Sequence, residues 1–240
     1  MSKKQYLYCI VETPKIDIIP CKGIFNCKPY MVRYHDIGAV TSEISATCVE
    51  INAETVLSHE EVVEYMMMDH TVLPVRFGTL LNSVDDIKAA LKANEKAIDN
   101  NFNKVRGQVE LGLKVILRNI PEDLPHTIED DVYEDNLTPG RHYLLKKLKQ
   151  EENTRKRLED ASPTIDEIYH TLNKYSLQST IRKLSTERML LNSSYLVPKE
   201  NIDAFKTTVE ILRKRYPSLI LLFSGPWPAY NFVNLDEGSD

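Results

Sequence analysis

The sequence predicts an α+β protein of two domains. Three observations carry this reading. Short aromatic and β-branched runs bounded by turn residues recur along the chain, apolar residues at helical 3-4 spacing recur between them, and 240 residues leave room for two small domains. Hydrophobic residues at 42% and charged residues at 27% describe an ordinary globular chain, which excludes a disordered or fibrous protein. The apolar run Leu219 to Phe223 is far too short to span a bilayer, and the polar start at residues 2–5 lacks the order of a secretory signal. The expected setting is cytoplasmic, with no membrane partner. Thirty basic against thirty-five acidic residues give a net charge of -5, which removes the global attraction that most nucleic-acid binders use.

The opening reads as strands: Tyr6 to Val11, Gly23 to Phe25, Tyr30 to Tyr34 and Ile37 to Ile44, with His35-Asp36 as a tight turn. From Asn52 to His70 the period becomes helical, with a possible break near Ser58, whose side chain could cap a second segment starting at His59. Thr71 to Leu81 is extended, and Pro74 suits an edge or kink. Ser83 followed by Asp86 resembles a capping box and opens a long helix ending near Gly107. Val109 to Leu117 is a strand. The stretch from Pro121 to Leu137 holds seven acidic residues and no Lys or Arg, and reads as a loop.

Arg141 to Asp160 carries seven basic and four acidic residues on a weak stripe of Leu144, Leu145, Leu148 and Leu158, the pattern of a solvated helix. Ser162-Pro163 looks like an N-cap and first position restarting the helix, with a better apolar face at Ile165, Ile168, Tyr169, Leu172 and Tyr175. Met189 to Val197 is a strand, Asn201 to Tyr216 a helix and Leu219 to Phe223 a buried strand, before a proline-punctuated aromatic tail and a frayed end at Asp236 to Asp240. The order fits two packed modules, each a sheet with helices on one face, over residues 1–106 and 107–240, the second holding the long helical segment and an acidic loop at 121–138.

Candidate chemistry is sparse. Cys9, Cys21, Cys27 and Cys48 lack Cys-x-x-Cys spacing and read as reduced thiols, a zinc site from Cys21 and Cys27 being the weaker alternative. His59 and His70 share a helix face but stand about 16 Å apart, so one metal cannot bridge them, and capping or surface polarity is the plain account. No phosphate-cradling glycine loop occurs. Arg76, inside an apolar segment, could pair with a buried carboxylate, stay exposed, or anchor an anionic ligand. Met66, Met67 and Met68 step about 100° each around a helix, so at least one faces solvent or a partner. Trp227, between Pro226 and Pro228 and ahead of Tyr230 and Phe232, suits a locking strand or a recognition surface. The basic helix leaves a nucleic-acid adaptor as a further option.

Thr71-Val-Leu-Pro-Val-Arg-Phe-Gly-Thr79 preceded by His59-Glu60, Glu110 to Val115, Pro139-Gly-Arg141 with Tyr143-Leu144, Leu191 to Val197, and Ser224-Gly-Pro-Trp-Pro228 before Tyr230 and Phe232 stand in an order that resembles the gas vesicle protein F/L family over nearly the whole chain. The departures are Ser193-Ser194, where small apolar residues are usual, and Ala229, where a further proline is common. The resemblance implies a modified ferredoxin-like N-terminal domain and a ferredoxin-like C-terminal α+β domain with long helices. It also implies a non-enzymatic accessory protein without cofactor, metal or catalytic residues, located at the gas vesicle and binding the small hydrophobic shell protein and other accessory proteins. Met66, Met67, Met68, Arg76, Trp227 and Tyr230 are the candidate contacts. The alternative is a small-ligand or enzymatic module that uses Arg76 as its anion anchor.

Overall fold

The computed structural model describes residues 3–16, 19–118, 138–186 and 188–235. The expected acidic loop at 121–138, all but Thr138, and the expected frayed end at Asp236 to Asp240 lie outside the described residues. The elements are β1 (Lys4–Glu12), β2 (Tyr30–Tyr34), β3 (Ile37–Ile44), α1 (Ala53–Asp69), β4 (Val72–Pro74), β5 (Leu80–Leu81), α2 (Val84–Ala93), α3 (Glu95–Val105), β6 (Gln108–Leu117), α4 (Pro139–Asn173), β7 (Gln178–Ile181), β8 (Met189–Pro198), α5 (Ile202–Arg215) and β9 (Leu219–Trp227). The α+β class holds, with two sheets. Two compact units result, one of residues 1–111, 196–199 and 225–240, the other of 112–195 and 200–224. A single cut between 106 and 107 would instead leave 196–199 and the tail with the second module; by their contacts they belong to the first.

In the first unit β1 lies at the centre of a sheet of order β2-β3-β1-β4, with β5 also pairing β1, and every pairing is antiparallel. A register irregularity between Leu7 and Cys9 shifts the alternation of β1. Leu7 and Ile10 then join one core with Ile87, Leu91, Ile98, Phe102 and Val105 of α2 and α3. Tyr6, Tyr8, Cys9 and Val11 join another with Val62, Val63 and Met66 of α1. Helices therefore cover both faces, not one, because β1 is apolar in near-continuous sequence and has no face to offer water. Pro74 pairs with Cys9 on the edge strand β4, where its missing N–H is harmless.

Local chemistry explains the boundaries. Asn52 caps α1, its Oδ1 accepting from the Thr55 N–H at 3.0 Å while the Asn52 N–H donates to Thr55 Oγ1 at 3.2 Å, and the helix runs unbroken past Ser58. Ser83 Oγ accepts from the Asp86 N–H at 3.1 Å and opens α2 as expected. The expected single helix to Gly107 is interrupted at Asn94, whose side-chain amide donates to the Ala90 carbonyl at 2.9 Å and competes with the backbone ladder. Where a strand from Gly23 to Phe25 was expected, Ile24–Asn26 forms a short 3-10 turn, with Phe25 at φ 54°. A Cβ on Gly23 would sit 2.0 Å from Tyr8 Oη.

The second unit is built on a four-stranded sheet of order β7-β8-β6-β9. Its described elements succeed one another as β-α-β-β-α-β, the ferredoxin-like succession. Phe205 of α5 is fully buried against Tyr195 at 5.2 Å and Phe223 at 6.1 Å between ring centroids. α4 does not restart at Ser162-Pro163 but continues through Pro163, which forgoes one ladder hydrogen bond, and Ser162 Oγ donates to Asp166 Oδ2 at 3.3 Å. β7 was not expected, since Gln178-Ser-Thr-Ile181 is short and polar; Ser179 Oγ is hydrogen-bonded to Tyr169 Oη at 2.7 Å.

Phe205→Ala should lower the unfolding free energy of the second unit by about 3–5 kcal/mol, since a large ring leaves a cavity among aromatic neighbours. Denaturant unfolding followed by near-UV circular dichroism checks this, and a loss below about 1 kcal/mol would contradict the packing described.

Candidate functional site

Tyr6, Tyr8 and His59 meet between β1 and α1 in the first unit, and His59 is 2% exposed. Its helix position faces the sheet, so the expected capping or surface role is wrong for His59. His70 does fill the C-cap position, its backbone N–H donating to the Met66 carbonyl at 3.1 Å. Tyr6 Oη lies 2.9 Å from His59 Nδ1 and Tyr230 Oη 3.3 Å from Nε2. The His59 ring stacks on Tyr8 at 5.7 Å and meets Phe77 edge-on at 5.6 Å.

A neutral imidazole has one donor and one acceptor nitrogen, so the two tyrosines must play opposite roles. Tyr6 Oη already receives the Gly78 N–H at 3.3 Å, which favours its own proton going to Nδ1 and leaves Nε2–H to donate to Tyr230. Burial lowers the His59 pKa to about 4 and pushes the Tyr6 and Tyr8 hydroxyls up to about 12. Burial also raises the Tyr230 hydroxyl, which turns to His59 although the residue as a whole is 37% exposed. The cluster is therefore uncharged at neutral pH. It locks packing and is not an acid-base pair tuned near pH 7.

The tail segment carrying Tyr230 is tied down by further polar contacts. Glu110, 5% exposed, accepts the Asn231 backbone N–H at 2.9 Å and its side-chain amide. Asn101 Nδ2 donates to the Asn234 carbonyl at 2.8 Å, and Lys104 Nζ to the Phe232 carbonyl at 2.8 Å. Gly225, at φ 109°, approaches the Glu110 carbonyl so closely that a Cβ there would fall 2.8 Å from it.

The sequence-predicted contact residues fall in different places. Met66 is fully buried, Met67 half-buried and Met68 74% exposed, as the angular step requires. Arg76 is exposed on a turn closed by the Thr79 N–H donating to the Arg76 carbonyl at 3.2 Å, so the buried-carboxylate reading fails. Trp227 is half-buried at the end of β9. A cleft of about 210 Å³ brings Met67 and Met68 beside His70, Gln108, Pro228 and Ala229, without Arg76, Trp227 or Tyr230 in its lining. Gln108 Oε1 in that cleft is buried with no hydrogen-bond partner among the described residues.

Among the described residues no group of three or more His, Cys, Asp or Glu could hold a metal ion. The four cysteines are free, Cys9 buried and Cys48 exposed. No helix among the described residues is long and apolar enough to cross a membrane. The histidine-tyrosine cluster escaped sequence reasoning. Its signal was the pairing of Tyr6 and Tyr8 in an otherwise aliphatic strand, which leaves two hydroxyls needing buried partners.

A family model described as gas vesicle synthesis protein GvpL/GvpF matches residues 4–234. Gas vesicle protein F1 of Halobacterium salinarum is 28% identical over 244 residues, covering 100% of this chain and 97% of that protein. Gas vesicle protein F of Haloferax mediterranei is 25% identical over 245 residues, covering 100% and 98%. The crystal structure of the gas vesicle protein GvpF from Anabaena sp. PCC7120 is similar with a TM-score of 0.75 at 22% identity, covering 97% of each chain. That of GvpF from Microcystis aeruginosa gives 0.76 at 21% identity, covering 96% of this chain and 99% of the other.

The His59 environment sets a pH dependence. The unfolded chain takes up a proton near the ordinary value of 6.5, whereas the folded one does so only near pH 4, so stability falls as pH drops through that window. The full loss is about 3 kcal/mol for this one group. His59→Gln should flatten the part of the stability profile between pH 6.5 and 4 that His59 supplies. Urea midpoints across that range check it, and an unchanged slope in the variant would contradict the assignment.

Proposed function

Because the chain belongs to the gas vesicle synthesis protein GvpL/GvpF family, we propose that it acts as a non-catalytic accessory protein that binds the small hydrophobic shell protein and other accessory proteins during vesicle nucleation and growth. The observation that carries the reading is the family match from residue 4 to residue 234, which takes in residues of both compact units. The setting of this work is the cytoplasm and the growing vesicle.

The shell subunit is treated as an aggregation-prone amphiphile whose exposed apolar face needs cover until it joins the shell. Binding a folded carrier stabilises the dispersed subunit by mass action, by about 2.7 kcal/mol when the carrier is at a hundred times its dissociation constant. The exposed Met68 thioether at the cleft beside Pro228 and Ala229 suits such a surface, since an unbranched polarizable side chain adapts to irregular apolar partners. The neutral, inward-facing histidine-tyrosine cluster supports a holding role by keeping the nearby tail ordered.

Mixing purified protein with shell protein and measuring the pelleted fraction tests this. At molar excess the wild type should keep severalfold more shell protein in the supernatant, and Met68→Glu should reduce that effect. Unchanged aggregation at molar excess would refute the holding role.

A further inference from the structure

We propose that the first half of α4 is a docking surface for an acidic amphipathic helix of a protein partner. In the last turns of α4, Ile168 and Leu172 are fully buried, Tyr169 is hydrogen-bonded to Ser179, and Glu167 accepts from Tyr216 Oη at 2.6 Å and pairs with Arg215 at 2.6 Å. From 138 to 160, every residue whose burial is described is exposed. That half spans about 33 Å at 1.5 Å per residue.

It nevertheless carries large apolar side chains. Tyr143 is 66%, Leu144 57%, Leu145 44% and Leu148 59% exposed. Leu144, Leu145 and Leu148 fall within about 100° of arc at 100° per residue, one continuous stripe little more than a turn long. Little in the half itself supports it. The ion pairs of Lys156 with Glu152 at 3.4 Å and Arg155 with Glu159 at 3.7 Å are both solvent-exposed, and such pairs contribute about 0.2–0.5 kcal/mol each. A helical stretch of this length is marginal without tertiary packing, so a partner that buries the leucines stabilises what the described residues leave bare.

Charge identifies the partner. Residues 141–150 contain Arg141, Lys146, Lys147 and Lys149 and no acid, so the leucines lie in a locally cationic segment of a chain whose net charge is -5. A helix with leucine-type residues at i, i+3, i+4 and i+7 and a carboxylate flank complements both features. A lipid surface fits less well. Residues 151–160 interleave four acids with the bases, and α4 holds no Trp or Phe to anchor at an interface. A second copy in parallel would set two cationic segments side by side.

The probe is a fluorescent 18-residue peptide with leucines at that spacing and glutamates elsewhere, titrated with the full-length chain and read by anisotropy. Saturable binding that weakens with added salt is expected, at least tenfold weaker for Leu144→Ser/Leu148→Ser. Arg141→Glu/Lys147→Glu should lose the acidic peptide and bind its lysine counterpart. These positions are exposed, so circular dichroism and thermal unfolding should be unchanged and exclude misfolding. The proposal is overturned by absence of binding, by equal binding of the lysine peptide to wild type, or by leucine variants that bind normally. It is equally overturned if only phosphatidylserine vesicles bind, or if sedimentation shows a wild-type dimer that the leucine variant abolishes.

Discussion

Burial of β1 on both faces is the constraint from which the first unit follows. A strand that reads Tyr-Leu-Tyr-Cys-Ile-Val from residue 6 to 11 cannot leave either face to water. The bulge beyond Leu7 sends Leu7 and Ile10 to the core under α2 and α3, and Tyr6, Tyr8 and Val11 to the core under α1. With two tyrosine hydroxyls taken inside, polar partners become obligatory. Ser42 and the Ile24 N–H serve Tyr8, while His59 and the Gly78 N–H serve Tyr6. The second nitrogen of His59 is left facing the tail, and Tyr230 meets it.

The tail is thus held by polar satisfaction as well as by apolar packing. Ala229 and Phe232 are buried in the first unit's core, and Glu110 and Asn101 receive the neighbouring amides. A single carboxylate at 5% exposure is stable there because two N–H groups of Asn231 face it. Met68 and the leucines of α4 are exposed, whereas His59 is buried and neutral at pH 7.

Much of this was legible in the sequence, and the exceptions have physical causes. β1, β2, β3 and β8 could be read because β-branched and aromatic runs end at turn residues, and Ser83 announced α2 by its spacing from Asp86. Asn94 was invisible as a helix stop, because its amide competes with the backbone only through a local hydrogen bond that periodicity does not encode. Pro163 misled in the opposite direction, since the helix flanks outweigh one missing bond. His59 read as surface polarity because its burial depends on Tyr6, 53 residues away in sequence. The methionine run could be read only as leaving at least one of three side chains outside, which falls to Met68, and Arg76 is an exposed turn residue.

Hydrogen-deuterium exchange of the full chain, with and without gas vesicle shell protein, tests most directly whether this protein works by presenting peripheral surface while its interior stays unchanged. New protection confined to peptides around residues 64–72 and 226–231, with β1 exchanging as before, is the predicted result. Protection appearing nowhere, or deprotection of β1 and the His59 helix, would contradict it.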